Sequence, residues 1–377
     1  MDRAQGVGII GCGSISTTYL SLAELFKDIK IVACADINSD LADKQAGDFG
    51  IESRSVEQLL VSKDIDIVVN LTIPSAHFAV SKAALEAGKH VYSEKPFVLD
   101  NHEGEVLKDL AADRGLRIGS APDTFFGGSH QQARALIDDG VLGQITGGTL
   151  AVMSRGMEMW HPNPDFFFKP GGGPVLDLGP YYITCMVQLL GPIARVASFG
   201  STPRVRREIT SAPRAGEFID VETPTSVRAI LEFHSGATVT FSASWDVHAH
   251  GMHHMELYGE LGTLTMPDPN FFGGDLKVVV ADKNRDSPAI NHPFGQQNQQ
   301  HADGPKANYR AAGLADMAAA IREDRPHRCG PDLAHHVIDV LTSIIKSSSS
   351  GKVITLGTTC ERPAALDAQQ ARALLAL

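Results

Sequence analysis

The sequence lacks several features that would place it in a special class of protein. It has only five cysteines in 377 residues and no C-x-x-C spacing, so we expect reduced thiols and no disulfide framework. No apolar run is long enough to cross a bilayer. The amino terminus lacks the basic region followed by an apolar region that is typical of a signal peptide, so none is expected. The chain is therefore expected to be an ordinary globular protein of the cytoplasm, in contact with no membrane.

Positive charge is also scarce. Lysine and arginine number 33 against 44 aspartates and glutamates, and the formal charge is −11. Nucleic acid and anionic membranes both require clustered basic residues, so neither is expected as a partner. The one basic stretch, residues 204–214, lies among Pro, Ser, Thr and Gly, which predicts a solvated loop or a subunit contact.

The beginning of the chain has the pattern of a dinucleotide-binding domain. A short apolar strand, residues 7–10, is followed at once by a G-x-G-x-x-S turn and an amphipathic helix. The glycines let the backbone approach a pyrophosphate, which then lies at the amino terminus of the helix. A second strand ends in Asp36, whose carboxylate is expected to bind the adenosine ribose and to favour NAD over NADP. The sequence predicts NAD as cofactor, held here by Gly11, Gly13, Ser14, Ile15 and Asp36.

The next apolar strand, residues 65–72, leads to the nicotinamide half of the predicted cofactor site. Its composition is typical of a parallel strand covered on both faces. Ser75 is the predicted N-cap of the following helix, with His77 in the first turn. We expect Thr72, Pro74 and His77 to line the site. A His77 ring bonded only to nearby backbone is the alternative.

A fourth strand precedes Glu94, Lys95 and Pro96. Ligands bind at the carboxyl ends of strands in open parallel sheets, which is where Lys95 is expected to lie. Pro96 disfavours helical geometry at Lys95 and holds its backbone extended. Lys95 is therefore the first catalytic candidate, and Glu94 and Lys95 are both expected near the cofactor.

The pattern of predicted elements changes after Pro122. Asp100 or Asn101 is the predicted cap of a helix that precedes the last strand, 117–120, of the first domain. Beyond the boundary, strands separated by loops predict an antiparallel sheet at residues 146–153, 193–201, 226–233, 237–247, 255–258 and 276–281. The predicted fold is an α/β Rossmann dinucleotide-binding domain, residues 1–122, followed by an α+β domain with a large, mostly antiparallel sheet, residues 123–377.

A glycine-rich segment in the second domain makes the assignment more specific. It reads Gly171-Gly-Gly-Pro-Val-Leu-Asp177-Leu-Gly-Pro-Tyr181. With Gly11-Cys-Gly-Ser and Glu94-Lys95-Pro96, it resembles the Gfo/Idh/MocA oxidoreductases, the family of glucose-fructose oxidoreductase and inositol dehydrogenase. The resemblance covers nearly the whole chain. It implies a nicotinamide between the domains and a second-domain sheet used in a homodimer or homotetramer.

The resemblance also implies a catalytic set, namely the lysine of E-K-P with the aspartate and histidine of D-x-G-x-H. Lys95 and Asp177 match this set, whereas Tyr181 stands where the histidine is expected. The branch that contains glucose-fructose oxidoreductase similarly carries a tyrosine. The resemblance therefore implies NAD-dependent oxidation of a small aldose, a pentose such as apiose or xylose, at C1 to the lactone.

The chemistry of these side chains agrees with that assignment. Asp177 and Tyr181 are four residues apart, and Pro180 suits the first turn of a helix that Gly191 ends, so both side chains can face one cleft. A dehydrogenase needs a base beside the hydroxyl that loses its proton. We expect Tyr181 to accept the proton, Lys95 to act as electrostatic partner and substrate clamp, and Asp177 to orient a sugar hydroxyl. Exchanged roles for Lys95 and Tyr181, or a Tyr181 that is simply packed in the core, are the alternatives.

Further substrate contacts are predicted before the glycine-rich segment. Trp160 offers a face for a sugar ring, His161 and Asp165 offer hydrogen bonds, and Asp123 and Thr124 lie at the domain boundary. Core packing explains the neighbouring phenylalanines equally well. Four histidines, which on an extended strand would partly share a face, lie at positions 248, 250, 253 and 254. Because hydride transfer needs no metal, a polar surface or a sugar contact is expected there, and no metal site is predicted.

Three other functions fit the same motifs. The nearest is oxidation of a ring hydroxyl in a cyclitol or glycoside. A second is an NAD-dependent glycosidase, which returns the hydride within each turnover. A third is a regulator that binds NAD without catalysis, against which the presence of both Lys95 and Asp177 argues, since a sensor needs no proton-transfer groups.

Overall fold

The computed structural model describes residues 3–281, 283–285, 291–301 and 304–376, and the chain forms two compact units. The first unit contains Met1–Gly127, Asn291–His335 and Pro363–Leu377. The second contains Gly128–Ile290 and His336–Arg362. This arrangement differs from a single division at Pro122, because two later segments pack with the dinucleotide-binding part of the chain.

The first unit is built on a six-stranded parallel sheet in the order β3-β2-β1-β4-β5-β6. This order reverses direction between β1 and β4, which is the ligand-binding point of a Rossmann sheet. Every residue of β4 is buried, as its continuous apolar sequence predicts. The strands are β1 (Gln5–Ile10), β2 (Ile29–Ala35), β3 (Glu52–Ser53), β4 (Ile67–Asn70), β5 (His90–Ser93) and β6 (Ile118–Ser120).

Five helices connect these strands. The Asp100 side chain caps α5 by accepting a hydrogen bond from the His102 N–H, which confirms Asp100 as the cap. The predicted N-cap Ser75 is wrong, because a short 3₁₀ helix, Pro74–Ala76, precedes α4 and includes it. The helices are α1 (Ser14–Ala23), α2 (Ser39–Phe49), α3 (Val56–Val61), α4 (His77–Glu86) and α5 (Asn101–Asp113).

The second unit contains a nine-stranded sheet in the order β16-β15-β14-β13-β7-β12-β11-β8-β19. The pair β7 and β12 is parallel and the remaining described pairs are antiparallel, so the predicted mostly antiparallel sheet is confirmed. Its strands are β7 (Ile145–Met153), β8 (Ile193–Ser201), β11 (Ser226–Phe233), β12 (Thr238–Ser244), β13 (Met255–Gly259), β14 (Gly262–Met266), β15 (Lys277–Val280), β16 (Lys283–Arg285) and β19 (Ile354–Thr355).

Two segments of the second unit differ from the sequence prediction. The helix α7 (Gly173–Leu190) begins before Pro180, which lies inside it, because Pro174 occupies the first turn instead. The basic stretch contains β9 (Arg206–Glu208), which pairs with β10 (Phe218–Asp220), so part of the stretch is a strand and not a loop. Residues 247–254 are not a strand, so the predicted common face of the histidines is absent from this described segment.

Each unit contains further helices or strands outside the two large sheets and the helices described above. In the first unit these are β17 (Gln299–His301), β18 (Gly304–Lys306), α8 (Ala312–Glu323) and α10 (Ala368–Leu374). In the second unit, α6 (Gly128–Asp138) precedes β7, and α9 (Pro331–Ser350) begins in the first unit and continues in the second. No helix of the described residues is both long and apolar enough to span a membrane.

Candidate active site

The turn between β1 and α1 depends on Gly11, whose backbone has a φ of 103°. A β-carbon at this position would lie 2.6 Å from the carbonyl carbon and oxygen of Leu71, in the backbone that follows β4. Glycine is required because the conformation is unfavourable for a side chain and the clash is with backbone. Gly11 thus lets the ends of β1 and β4 approach each other at the carboxyl edge of the sheet.

Gly13 occupies a different environment, although it belongs to the same turn. Its φ is −74°, and a β-carbon built there meets no atom within 4 Å. It is the N-cap of α1 and no side chain caps the helix, so the backbone of Ser14 and Ile15 can bind an anion. Ser16 is fully buried and donates a hydrogen bond from its hydroxyl to the Gly13 carbonyl at 2.6 Å, which fits close packing of helix and strand.

Asp36 follows β2 and is held in place by two backbone groups. Its Oδ2 accepts a hydrogen bond from the Cys12 N–H, and its Oδ1 accepts one from the Asn38 N–H, both at 2.8 Å. The first of these bonds ties Asp36 to the glycine turn. A carboxylate fixed in this way is positioned to accept hydrogen bonds from a pair of ribose hydroxyls.

A surface depression of about 460 Å³ lies beside Asp36. Ile37 lines it with a fully exposed side chain, which offers apolar surface to an adenine ring. Arg54 also lines it, but its guanidinium is paired with Asp64 and Glu52, both at 2.8 Å. The arginine is therefore already compensated by two carboxylates, which fits NAD better than a cofactor with an additional 2′-phosphate.

Two buried side chains hold the loop that follows β4. The Asn70 Oδ1 accepts hydrogen bonds from the N–H and hydroxyl of Thr72, and its amide donates to the His77 carbonyl and the Ser81 hydroxyl. The His77 Nδ1 lies 2.6 Å from the Pro96 carbonyl oxygen and its Nε2 lies 3.0 Å from that of Thr72. Burial lowers the pKa of His77 and so favours its neutral form. The His77 ring therefore contacts nearby backbone, as the alternative interpretation of this residue predicts. A contact of His77 with the cofactor stays a prediction.

Lys95 follows β5, is half-buried, and precedes a cis peptide bond to Pro96. Its N–H donates a hydrogen bond to the Glu94 Oε2 at 2.8 Å, and the Tyr19 hydroxyl donates to the Glu94 Oε1 at 3.0 Å. Burial raises the pKa of Tyr19, so the phenol stays protonated and donates. Tyr19 therefore orients Glu94, which holds the Lys95 backbone. No sequence motif pointed to this contact.

Asp123 is less suited to a substrate contact than the sequence predicted. Its side chain lies inside the first unit, 2% exposed, and its Oδ2 accepts a hydrogen bond from the Gly313 N–H of α8 at 3.0 Å. Burial raises the pKa of this carboxyl to about 6. This placement supports a structural role at α8 and does not support direct contact with a sugar.

In the second unit, α7 carries Asp177 and Tyr181 one turn apart. Both residues are fully within the helix, so their side chains project from the same face. Asp177 is half-buried and Tyr181 is 9% exposed. The early start of α7 thus places both residues in regular helix, although the sequence placed only Tyr181 there.

The aromatic segment before α7 has a buried side and an exposed side. Trp160 is 64% exposed and packs edge-on against His161, with 5.4 Å between ring centroids. His161 packs in the same way against Phe166 and Phe167. Phe167 is buried, as the core interpretation of the phenylalanines predicts, whereas Phe166 is 47% exposed. The exposed side therefore offers aromatic surface of the kind that a sugar ring contacts.

Asp165, the third predicted substrate residue of this segment, forms an ion pair with Arg214. Arg214 also pairs with Glu217 at 2.8 Å. The Arg214 guanidinium lowers the pKa of Asp165 and keeps it ionised. Its carboxylate is therefore engaged by the protein, and a hydrogen bond to substrate stays a prediction.

In the histidine-rich segment, His254 has defined side-chain contacts. The Nδ1 of His254 lies 2.9 Å from the hydroxyl oxygen of Tyr182, and the ring is 4.0 Å from Asp268. In the part of the chain that the structure describes, no three histidine, cysteine or carboxylate side chains are grouped to hold a metal ion.

Comparison with known families agrees with the two units. A model described as the oxidoreductase family with an NAD-binding Rossmann fold matches residues 5–121, and one described as the GFO/IDH/MocA C-terminal domain matches residues 130–265. The chain belongs to the Gfo/Idh/MocA oxidoreductases. The resemblance seen in the motifs is thereby confirmed.

Membership of the Gfo/Idh/MocA family also establishes NAD as the cofactor of the first unit. The residues present fit that cofactor. The space beside Gly13 would accommodate a pyrophosphate, and Asp36 borders a depression suited to adenosine. The predicted cofactor class is confirmed, whereas the individual contacts are proposals.

Several relatives in the Gfo/Idh/MocA family act on sugars. The chain is 27% identical to dTDP-3,4-didehydro-2,6-dideoxy-alpha-D-glucose 3-reductase of Streptomyces violaceoruber over 85% of this chain and 86% of the relative. It is 24% identical to D-glucoside 3-dehydrogenase of Escherichia coli K12 over 77% of this chain and 88% of the relative. Matches to some other relatives span only 37% to 49% of their length.

Among solved structures, levoglucosan dehydrogenase in complex with NADH and levoglucosan shares the fold, with a TM-score of 0.79. The alignment covers 94% of this chain and 100% of that one, at 21% identity. This similarity concerns the fold alone.

The contact between Tyr19 and Glu94 gives a first testable prediction. In Tyr19→Phe, Glu94 loses its orienting donor, and we expect kcat to fall by about tenfold, the effect of losing one buried hydrogen bond to a charged group. Steady-state kinetics with the best sugar substrate, together with the dissociation constant for NADH, would measure this.

Tyr92→Phe is the matched control. Tyr92 is also a fully buried tyrosine of the first unit, but its hydroxyl lies beside Gly313 of α8. We expect this variant to retain kcat. Equal rates in both variants would show that Tyr19 does not act through Glu94.

Proposed function

We propose that this chain is an NAD-dependent dehydrogenase that oxidises C1 of a small aldose, a pentose such as xylose or apiose, to the lactone. The observation that carries the proposal is the pair Asp177 and Tyr181, one turn apart on α7, in a chain whose NAD-binding unit presents Lys95 after β5. Family membership supports an oxidoreductase, and the sugar-active relatives support a carbohydrate substrate.

The proton that leaves the substrate hydroxyl is accepted by a side chain of this protein. NAD, when bound, takes up the hydride that leaves the substrate carbon. Tyr181 accepts the proton of the substrate hydroxyl, and the Lys95 ammonium donates a hydrogen bond to the same oxygen. Asp177 accepts a hydrogen bond from a neighbouring sugar hydroxyl and so fixes the ring. The overall step converts CH–OH into C=O, with one hydride and one proton leaving the substrate.

A second candidate is oxidation of a ring hydroxyl, and the relatives favour it. Two that match over most of their length are named for position 3 of a sugar, as a 3-reductase and a 3-dehydrogenase. The same groups would serve, because a secondary ring hydroxyl also loses one hydride and one proton. The difference lies in which carbon faces the nicotinamide.

The deciding experiment is an NADH absorbance assay with sugars chosen for their anomeric centre. D-Xylose and D-glucose have a free anomeric hydroxyl, whereas methyl β-D-glucopyranoside, levoglucosan and myo-inositol do not. NADH formation with an aldose alone would support oxidation at C1. NADH formation with the second group would establish ring oxidation and reject the C1 proposal.

Two further outcomes separate the other classes. Nitrophenol release from a nitrophenyl glycoside without net NADH would identify a glycosidase. NAD binding without turnover of any sugar in the panel would favour a regulator.

Three expectations accompany the proposal and stay predictions. They are a homodimer or homotetramer formed through the second unit, residence in the cytoplasm, and the absence of a catalytic metal.

A further inference from the structure

Arg207 lies in the second unit, and its charged side chain is 0% exposed. It lies on β9, in the basic stretch that the sequence predicts to be solvated. The residues around it form what we call the aromatic module, which comprises residues 154–172, 204–222 and 245–246. The buried interior of this module includes Met157, Phe167, Phe168, Ile209, Ile219 and Trp245.

The Arg207 guanidinium joins three segments of the module. Its Nε donates a hydrogen bond to the Glu158 Oε1 at 2.8 Å. Its Nη2 donates to the carbonyl oxygens of Arg155 at 3.1 Å and Trp245 at 2.6 Å. The Nη2 also lies 3.4 Å from the Asp246 carboxylate. Arginine suits this position because its planar fork presents several donors in fixed directions, which a lysine cannot do.

Glu158 transmits these contacts to the loop that carries the exposed aromatic residues. It is 4% exposed, and its backbone carbonyl accepts hydrogen bonds from the N–H groups of Thr210 and Ser211. Its carboxylate lies against Gly156, where a β-carbon would come within 2.2 Å of the Glu158 Oε2. Both ends of Glu158 are thus fixed, immediately before Trp160 and His161.

The exposed surface of the module is held by the same segments. The Ser211 hydroxyl donates to the His161 carbonyl at 2.6 Å, so the hairpin that contains Arg207 also supports the His161 backbone. The Phe168 ring lies 5.2 Å from the Arg207 guanidinium, and Trp245 packs edge-on against Phe168. The loop with Trp160 therefore lies over a core that is fixed by one buried ion network.

We propose that Arg207 is a positioning residue for sugar recognition, which fixes the loop that presents Trp160 and His161. The inference rests on the proposed function, because it takes the exposed aromatic side of the module as the sugar contact. Arg207 itself has no contact with solvent, so its effect on a substrate passes through Glu158 and the loop.

The neighbouring arginine is a matched control. Arg206 precedes Arg207 on β9, and its side chain is 65% exposed, in a weak ion pair with Asp220 at 3.8 Å. Its guanidinium lies 4.5 Å from the Phe218 ring, on the surface of the hairpin. Arg206→Met therefore removes the same charge and the same volume without reaching Glu158.

The test compares Arg207→Met, Arg207→Lys and Arg206→Met. We expect Arg207→Met to raise KM for the sugar by at least about tenfold, because a displaced loop weakens binding, while the dissociation constant for NADH changes by less than about twofold. Arg207→Lys should give a smaller rise in KM, since one charge remains but the fork is lost. Arg206→Met should leave KM unchanged. If Arg207→Met does not fold, Arg207→Lys and Glu158→Gln decide by the same criterion.

A binding measurement separates this inference from the proposed function. The chain has two tryptophans, Trp160 and Trp245, and both lie in the module, so selectively excited tryptophan emission reports on it alone. D-Xylose, levoglucosan and methyl β-D-glucopyranoside are titrated against this emission, with Trp160→Phe as the signal control. A titration that weakens in Arg207→Met supports the inference even if no sugar yields NADH. The inference is overturned if Arg207→Met and Arg206→Met bind and turn over sugar equally, or if no sugar changes the emission or is oxidised.

Discussion

Replacing Lys95 with methionine is expected to abolish NADH formation while NAD still binds. Methionine keeps the length of the side chain and removes the ammonium group. Loss of a positioned acid–base or electrostatic group lowers kcat by about a thousandfold. The contacts of the glycine turn and Asp36 lie at other strand ends and remain intact. Turnover would be measured by NADH absorbance and NADH binding by its fluorescence.

Lys89→Met is the control for this prediction. Lys89 immediately precedes β5, at the opposite end of the same strand, and its ammonium donates to the carbonyl oxygens of Ser62 and Ile65. Its loss should lower the free energy of unfolding by about 1 to 2 kcal/mol and leave kcat unchanged. A Lys95→Met enzyme that turns over at the wild-type rate would remove Lys95 from the mechanism.

Alanine substitutions at the two glycines of the first turn are expected to have different effects, one on stability and the other on NAD binding. Gly11→Ala introduces a β-carbon 2.6 Å from the Leu71 backbone at a φ of 103°, so it should lower the free energy of unfolding by about 3 kcal/mol or more. Gly13→Ala meets no atom and should melt like the wild type. If the pyrophosphate passes Gly13, the added methyl group overpacks that contact and weakens NAD binding by about tenfold to a hundredfold.

Thermal unfolding and NAD titration of both variants would check this prediction. If the Gly13→Ala protein binds NAD like the wild type, the pyrophosphate does not pass Gly13. Gly11→Ala protein of unchanged stability would contradict the close approach of β1 and β4.

Local patterns were sufficient to predict most strands of the parallel sheet and many strands of the second sheet, but not the later segments that belong to the first unit. The carboxyl ends of β1, β2, β4 and β5 could be located approximately, because a glycine turn, an acidic residue or a proline follows each strand within a few residues. Asp177 and Tyr181 could be paired by spacing alone. The start of α7 was misplaced because two prolines compete for the first turn, and only the structure shows that Pro180 lies inside the helix.

The contacts between distant residues could not be predicted in the same way. Arg207 appeared to be a solvated basic residue, because its partners Glu158 and Asp246 lie in other segments and an isolated arginine is normally exposed. The contact of Tyr19 with Glu94 was also not predicted, because the two residues are 75 positions apart. The ion pair of Asp165 with Arg214 was likewise not predicted, because the two residues are 49 positions apart.

The first unit includes residues 291–335 and 363–377 from late in the chain, which limits where the protein can be truncated. Phe26 packs edge-on against Phe294, and it forms a backbone bridge with Leu375. Lys27 donates its N–H to the Leu374 carbonyl, and Ala376 donates its N–H to the Leu25 carbonyl. A truncated fragment ending near Pro122 would uncover this surface, although it contains every strand of the parallel sheet. The NAD-binding half is therefore not an independent module that can be excised or grafted by its amino-terminal sequence alone.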